Sequence, residues 1–179
     1  AIVEAGDLTS GETVLEIGPG KGFLTKALLD TGATVVALEK DRDLLPLLAE
    51  SFSSQIQDGK LRVVEGDALT FSPETEALRS GSYKLIANIP YYITGAILSY
   101  YLSHKDQPNT MVVLVQKEVA ERVVARDGKE SLLSLSVKAY GEPKLVYKVS
   151  RGSFNPSPTV DSAVLQIKNI SRNNFKNQY

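Results

Sequence analysis

The sequence of 179 residues contains no cysteine and a single histidine, His104. Without cysteine the chain can form neither a disulfide framework nor a thiolate metal site, and one histidine cannot build a histidine cluster. No apolar run reaches the roughly 18 residues of a membrane span, and residues 1–8 lack the basic-then-apolar order of a signal peptide. We therefore expect no metal site, no thiol nucleophile and no membrane contact, and we predict a soluble cytoplasmic protein.

The net charge of the chain is only −1, but the two signs are unevenly distributed. Residues 1–90 carry 8 Lys and Arg against 14 Asp and Glu, a net charge of −6, whereas residues 91–179 carry 12 against 7, a net charge of +5. The basic half suits a polyanion such as nucleic acid. Lysines and arginines that simply solvate exposed helices explain so modest an excess equally well, so charge alone does not decide the function.

Short β-rich runs alternate with helix-compatible stretches, and 42% of the residues are hydrophobic, enough for one domain spanning residues 1–179. This alternation predicts a parallel sheet covered by helices on both faces. The last two runs suit an antiparallel pair that closes the sheet. The predicted strands are 14–17, 34–38, 61–64, 83–87, 111–115, 144–149 and 162–167, and the predicted helices are 23–29, 44–52, 93–102, 118–124 and 132–140.

A glycine-rich segment, Glu-Ile-Gly-Pro-Gly-Lys-Gly at 16–22, follows the first strand and opens the first helix. Glycines let the backbone pass close to a ligand, and free N–H groups at a helix start can bind it. A tight strand-to-helix turn requires glycine even without a ligand. Phe23 stands where the dinucleotide fingerprint G-x-G-x-x-G has its third glycine, so the loop favours a nucleotide-like cofactor other than NAD or FAD.

Two acids end the next two predicted strands. Glu39 lies about twenty residues after the loop, where a carboxylate can accept hydrogen bonds from a ribose diol. Asp67 ends the third strand, where it can accept a hydrogen bond from an adenine amino group. A single acid at a strand end is more often a turn former or a helix cap. The glycine loop, Glu39 and Asp67 together give three ligand groups at successive strand ends. This arrangement matches the edge at which open α/β sheets bind ligands.

The segment Asn-Ile-Pro-Tyr at 88–91 ends the fourth strand. An adenine amino nitrogen is a poor nucleophile, and two acceptors for its hydrogens, the Asn88 Oδ1 and a backbone carbonyl, can direct its lone pair at a methyl donor. Pro90 favours an extended Ile89, and Tyr91 offers a ring for base stacking. The alternative interpretation is a plain Asn-x-Pro turn with a packed tyrosine.

Together, the glycine loop, Glu39, the Gly66-Asp67 pair and the 88–91 segment resemble the KsgA family of small-subunit rRNA adenine N6-dimethyltransferases. The segment Phe-Asn-Pro-Ser-Pro-Thr-Val-Asp-Ser at 154–162 also matches, so the resemblance covers nearly the whole chain. It implies an α/β fold of the class I S-adenosylmethionine-dependent methyltransferase type, with a Rossmann-like, mostly parallel sheet and an antiparallel closing strand. The implied reaction transfers methyl groups from S-adenosylmethionine to the exocyclic N6 of adenines in the RNA of the pre-ribosomal small subunit. We expect the enzyme to be a monomer.

The same resemblance assigns roles to individual residues. Asn88, Tyr91 and Phe154 would hold the target adenine, and Lys40 would lie along one face of the cofactor adenine. The implied contacts to S-adenosylmethionine are Glu16, Gly18, Gly20, Glu39, Lys40, Asp67, Ala68 and Asn88.

The sequence departs from the family pattern at both ends. The N-terminal Gly-Gln-(Asn/His)-Phe-Leu segment, which helps to cover the cofactor, is missing, and so is the small helical domain that follows the last strand and contributes to RNA binding. We therefore expect residues 1–179 to be the catalytic core of a longer protein.

Three other functions compete with small-subunit methylation. An Erm-type methyltransferase of large-subunit adenine shares the glycine loop and the Asn-x-Pro-aromatic motif, but the stretch Val-Asp-Ser-Ala-Val at 160–164 favours the small-subunit enzymes. A non-catalytic RNA-binding or transcription-accessory protein belongs to a different class, and the intact Asn88 and Tyr91 argue against it. An NAD-dependent oxidoreductase is a distant fourth.

Overall fold

The computed structural model of the chain describes residues 1–125, 129–153 and 158–175. Within these residues seven strands form one sheet. They are β1 (Thr13–Ile17), β2 (Thr34–Glu39), β3 (Leu61–Glu65), β4 (Tyr83–Asn88), β5 (Thr110–Gln116), β6 (Glu142–Val149) and β7 (Ser162–Lys168). Their order across the sheet is β3-β2-β1-β4-β5-β7-β6.

The first five strands of the chain are parallel, and the last two close the sheet. β1 pairs with both β2 and β4, and all four pairings among β1 to β5 are parallel. β7 is antiparallel to β5 and to β6. Because the strand order reverses between β1 and β4, the carboxyl ends of the parallel strands meet at one edge with a crevice between them. The prediction of a mostly parallel sheet with an antiparallel closing pair is confirmed.

Helices cover both faces of this sheet. Successive strand residues face opposite sides: Val14 is buried with Leu28 and Leu48 on one face, and Leu15 is buried with Ile97 and other residues on the opposite face. In the described part of the chain, no helix is long and apolar enough to cross a membrane. The helices are α1 (Ile2–Gly6), α2 (Phe23–Leu29), α3 (Leu44–Ser51), α4 (Ser53–Gln57), α5 (Thr94–Ser103), α6 (Lys117–Val124) and α7 (Leu132–Tyr140).

The helix predicted over residues 44–52 is observed as α3, which ends one residue earlier, at Ser51. Phe52 leaves the helical conformation, with φ −120° and ψ 26°, so α3 ends before it and α4 begins after it. The bend buries the Phe52 ring against Gly22, where a Cβ atom would lie 2.4 Å from a ring carbon. The end of α3 therefore coincides with the packing of one aromatic ring against the glycine loop. The prediction is confirmed here to within one residue, and the strands extend at most two residues beyond their predicted bounds.

Helix α1 was not predicted from the sequence. It has only five residues, too few for a helical period to stand out. Its stability comes from tertiary contacts, since Ala5 is buried and its carbonyl oxygen accepts a hydrogen bond from Gln166 Nε2 at 2.6 Å. An isolated helix of this length would not persist in water.

Candidate active site

The glycine loop between β1 and α2 presents an open backbone surface at the carboxyl edge of the sheet. Gly18 and Gly20 have φ values of 66° and 58°, in the left-handed region that strains residues with a Cβ atom. No heavy atom lies within 4 Å of the Cβ position of either residue. The Gly18 N–H donates to the Leu38 carbonyl at 2.9 Å and fixes the loop to β2. The loop is therefore rigidly placed and free to receive a ligand.

Glu39 is buried at the end of β2 and holds the glycine loop by hydrogen bonds. Its Oε2 accepts from the Gly20 N–H at 3.1 Å, and its Oε1 accepts from the N–H groups of Lys40 and Asp41, both at 2.9 Å. The sequence predicts that Glu39 binds a ribose, and its position next to the loop suits that role. Its contacts to three backbone donors are a feature that the sequence did not indicate.

Glu16, at the end of β1, is a fully buried carboxyl group with only one partner among the described residues. The Thr25 hydroxyl donates to its Oε2 at 2.6 Å, and its Oε1 has no hydrogen-bond partner. Burial raises the pKa of Glu16 to about 7, and the nearby Glu39 adds to the rise, while the Thr25 hydrogen bond opposes it. A cationic group next to the free oxygen would stabilise the charged form.

Asp67 and Lys40 form an ion pair between the loops after β3 and β2. Lys40 Nζ lies 2.8 Å from Asp67 Oδ2, and Asp67 Oδ1 accepts the N–H of Leu69 at 2.9 Å. The hydrogen bond from Lys40 lowers the pKa of Asp67, and the same bond raises the pKa of Lys40. Ala68 is buried beside them, and its carbonyl oxygen accepts from the Tyr101 hydroxyl at 2.9 Å. Each carboxylate oxygen of Asp67 keeps a second lone pair for a ligand.

The segment 88–91 follows β4 and lines an open depression of about 260 Å³. Asn88 is exposed, and its side chain makes no hydrogen bond to the described part of the protein. Ile89 is buried and anchors the segment, while Pro90 lies in an extended conformation with ψ 132°. The Tyr91 hydroxyl lies 2.7 Å from Ser162 Oγ. The depression therefore combines a free amide, a backbone turn and a tethered aromatic ring.

Strand register brings these parts together. Ile17 of β1 is paired with Leu38 of β2 and with Ala87 of β4. Gly18 directly follows Ile17 and Asn88 directly follows Ala87, so the two residues lie at the ends of adjacent strands. Glu39 is aligned with Glu65, two residues before Asp67. The predicted cofactor residues thus share one edge with Asn88 and Tyr91, whereas Phe154 lies outside the described residues.

Thr25 and Ser162 were not predicted as site residues, although they contact Glu16 and Tyr91 respectively. Thr25 follows the glycine loop without any pattern that indicates a contact to the preceding strand. Ser162 carried a signal, because it belongs to the Val-Asp-Ser stretch that the family resemblance includes. Its contact to Tyr91 depends on the antiparallel pairing of β7 with β5, which places it near the end of the parallel strands.

Away from this edge, His104 lies with Glu74 and Asp106, and one ligand atom of each lies within 4.8 Å of the others. The single histidine predicts no histidine cluster, and no pattern in the sequence indicates this mixed group. Lys105 already supplies a cation, with its Nζ 2.9 Å from Glu74 Oε1 and 3.6 Å from Asp106 Oδ2. The ion pair accounts for the cluster without a metal.

Known proteins are similar to this chain over almost its whole length. The family described as ribosomal RNA adenine dimethylase matches residues 1–178. Ribosomal RNA small subunit methyltransferase A of Dehalococcoides mccartyi is 45% identical over 166 residues, which are 93% of this chain and 56% of that protein. The chain thus spans a little over half the length of this relative.

Solved structures show the same fold. The 23S rRNA methyltransferase ErmE is 32% identical with a TM-score of 0.82, over 95% of this chain and 66% of ErmE. A dimethyladenosine transferase from Plasmodium falciparum is 32% identical with a TM-score of 0.79, over 97% of this chain and 61% of that chain. The fold is the Rossmann-like fold of class I S-adenosylmethionine-dependent methyltransferases. By the match over residues 1–178 and the 45% identity, the chain belongs to the ribosomal RNA adenine dimethylase family.

Proposed function

We propose that this chain carries the site that transfers methyl groups from S-adenosylmethionine to the N6 amino group of adenines in small-subunit ribosomal RNA. One observation carries the proposal: the free amide of Asn88 and the ring of Tyr91 line a depression beside the open glycine loop. A site for a methyl donor and a site for a flat base thereby meet at adjacent strand ends.

The chemistry of the residues around the loop fits S-adenosylmethionine. Glu16, Glu39 and Asp67 give this edge an acidic character, and Glu16 has an oxygen without a partner in the described chain. Such groups attract the cationic ammonium and sulfonium of S-adenosylmethionine and repel the pyrophosphate of NAD. We assign Gly18, Gly20, Glu39, Asp67 and Ala68 to cofactor binding, with Lys40 along the adenine and Glu16 behind the loop.

In the proposed reaction the chain orients the target amine rather than activating it with a strong base. S-adenosylmethionine supplies, when bound, an electrophilic methyl group. Asn88 Oδ1 and a backbone carbonyl of the 88–91 segment accept the two amino hydrogens, which directs the nitrogen lone pair and stabilises the charge that develops there. Tyr91 stacks on the base. The methylated nitrogen then loses a proton to water, so no residue need act as general base.

The choice of ribosomal subunit rests on sequence similarity. The Dehalococcoides relative, at 45% identity, is named as a small-subunit methyltransferase, and the Val-Asp-Ser stretch agrees with it. ErmE, a 23S rRNA methyltransferase, is similar in fold at 32% identity, so large-subunit methylation is the second candidate. Since all assigned residues belong to one chain, we propose a monomer that acts in the cytoplasm, where ribosomal RNA is found.

A methyl-transfer assay on separated ribosomal subunits tests the proposal. The chain is incubated with radiolabelled S-adenosylmethionine and either unmethylated small subunits or unmethylated large subunits. We expect label in the small-subunit RNA, and far slower labelling when Asn88→Ala replaces the native chain. Label in the large subunit alone would favour the second candidate, and label in neither would favour a non-catalytic RNA-binding role.

A further inference from the structure

The candidate active site is connected to the closing strands by one hydrogen bond. The Tyr91 hydroxyl lies 2.7 Å from Ser162 Oγ, across 71 residues of sequence. Ser162 is fully buried and is the first residue of β7. Its backbone is paired in register with Gln116 at the end of β5 and with Val149 of β6. The serine hydroxyl is therefore presented from a fixed position between two neighbouring strands.

Asp161 fixes the chain just before Ser162. Its Oδ1 accepts the N–H of Arg151 at 3.0 Å, and its carbonyl oxygen accepts the N–H of Lys117 at 3.0 Å. These bonds hold Asp161 to the residues after β6 and to the start of α6. The position of Ser162 is thus determined on its N-terminal side by Asp161 and on its C-terminal side by the sheet.

We propose that Ser162 is a positioning residue for target-base recognition, whose hydrogen bond fixes the plane of the Tyr91 ring before the adenine arrives. The inference rests on the proposed function, in which Tyr91 stacks on the base. Tyr91 is only half-buried, so packing alone leaves its ring some freedom. Fixing the ring in advance reduces the ordering cost of binding and keeps the base at the correct angle to Asn88.

The proposal distinguishes two effects of Ser162→Ala, on the stability of the fold and on the orientation of the Tyr91 ring. Ser162→Ala removes one buried oxygen and no hydrocarbon, and the Tyr91 hydroxyl, at a half-exposed side chain, can turn to water. The substitution should therefore change the stability little while it releases the ring. In this variant the fold should therefore keep its stability while the Tyr91 ring loses its fixed orientation.

A double-mutant cycle with an RNA probe tests the proposal. The probe is a single-stranded oligoribonucleotide with 2-aminopurine, whose fluorescence is quenched on stacking. We expect Ser162→Ala and Tyr91→Phe each to weaken the binding about two- to tenfold, the range for one neutral hydrogen bond. The double variant should be no weaker than either single variant, because both substitutions remove the same bond. Additive losses, or no loss in Ser162→Ala, would overturn the proposal.

A spectroscopic measurement addresses the ring without RNA or cofactor. With ¹³Cζ-tyrosine in the chain, the Tyr91 signal is assigned by its loss in Tyr91→Phe. The Tyr91 signal should shift in Ser162→Ala and stay in place in Ser134→Ala. Ser134→Ala is a matched control because Ser134 is an equally buried serine at the start of α7. An unshifted Tyr91 signal in Ser162→Ala contradicts the proposal. Missing methyl transfer by the native chain on ribosomal subunits contradicts the proposed function instead, so the two failures are distinguishable.

Discussion

The Thr25 hydroxyl donates a 2.6 Å hydrogen bond to Glu16 Oε2, and the other oxygen of this buried carboxyl group is without a partner in the described residues. The pair joins the end of β1 to helix α2 on either side of the glycine loop. Burial of the half-satisfied carboxyl raises its pKa to about 7, so we expect the stability of the chain to depend on pH.

We predict that Glu16 makes folding less favourable as the pH rises. Its pKa is about 4.5 in the unfolded chain and about 7 in the folded chain, so its contribution is fully present below pH 4.5 and is lost as the pH rises through 7. The loss corresponds to about 3 kcal/mol. In urea titrations at pH 5 to 8, Glu16→Gln should therefore gain about this much stability relative to the native chain.

A second variant provides a control that should show no pH dependence between pH 5 and 8. The hydrogen bond from Lys138 lowers the pKa of Glu130, so Glu130 contributes stability above its unfolded pKa that is lost as the pH falls. Glu130→Gln should therefore be less stable than the native chain by a nearly constant amount between pH 5 and 8, and this difference should shrink only as the pH falls below about 4.5. A difference between Glu16→Gln and the native chain that does not depend on pH would contradict the raised pKa.

Removal of the Glu39 carboxylate should weaken cofactor binding. The substitution Glu39→Ala leaves the backbone donor of Gly20 without its acceptor and removes the expected ribose contact. We expect the affinity for S-adenosylmethionine to fall by about 1.5 to 3 kcal/mol, the range for hydrogen bonds to a charged group. Calorimetry measures the affinity. Glu65→Ala is the control, because Glu65 on β3 is aligned with Glu39 on β2 but is exposed. Unchanged affinity in a folded Glu39→Ala chain would remove Glu39 from the site.

A Cβ atom at Gly20 should impair both folding and cofactor binding. The left-handed φ of 58° costs an alanine about 1 kcal/mol, and the Cβ would enter the open space beside the loop. Gly59→Ala is the control, since Gly59 has φ 70° and equally open surroundings in a turn before β3. Both variants should lose similar stability in denaturant titrations, but only Gly20→Ala should lose affinity for S-adenosylmethionine. Equal affinities would mean that the open space is not a ligand site.

The Asn88 amide should matter more for the rate than for binding. The substitution Asn88→Ala removes an acceptor that is needed most as charge develops on the amine, so single-turnover methyl transfer should fall about 10²- to 10³-fold. RNA affinity should change much less. Asn109→Ala is the control, because Asn109 precedes β5 at the opposite edge of the sheet. Equal losses of affinity and rate for Asn88→Ala would assign Asn88 to binding alone.

Local sequence patterns predicted the sheet and the residues of its carboxyl edge well. The apolar runs of the strands and the glycines of the loop are short-range signals, and the position of each acid at a strand end follows from them. The break at Phe52 and the short helix α1 depend on tertiary contacts, with Gly22 and with Gln166. Ser162 joins the site only through the antiparallel pairing of β7. Such contacts across many residues leave no periodic trace in the sequence.

The most direct test of the account is to identify the methylated nucleoside. Unmethylated small ribosomal subunits are incubated with the chain and S-adenosylmethionine, and their RNA is digested and analysed by mass spectrometry. We predict N6-methylated adenosine in the native sample and far less of it, after the same reaction time, with Asn88→Ala. Methylation on another base, or N6-methyladenosine formed equally by both chains, would contradict the assignment of Asn88 and Tyr91 to an adenine amino site.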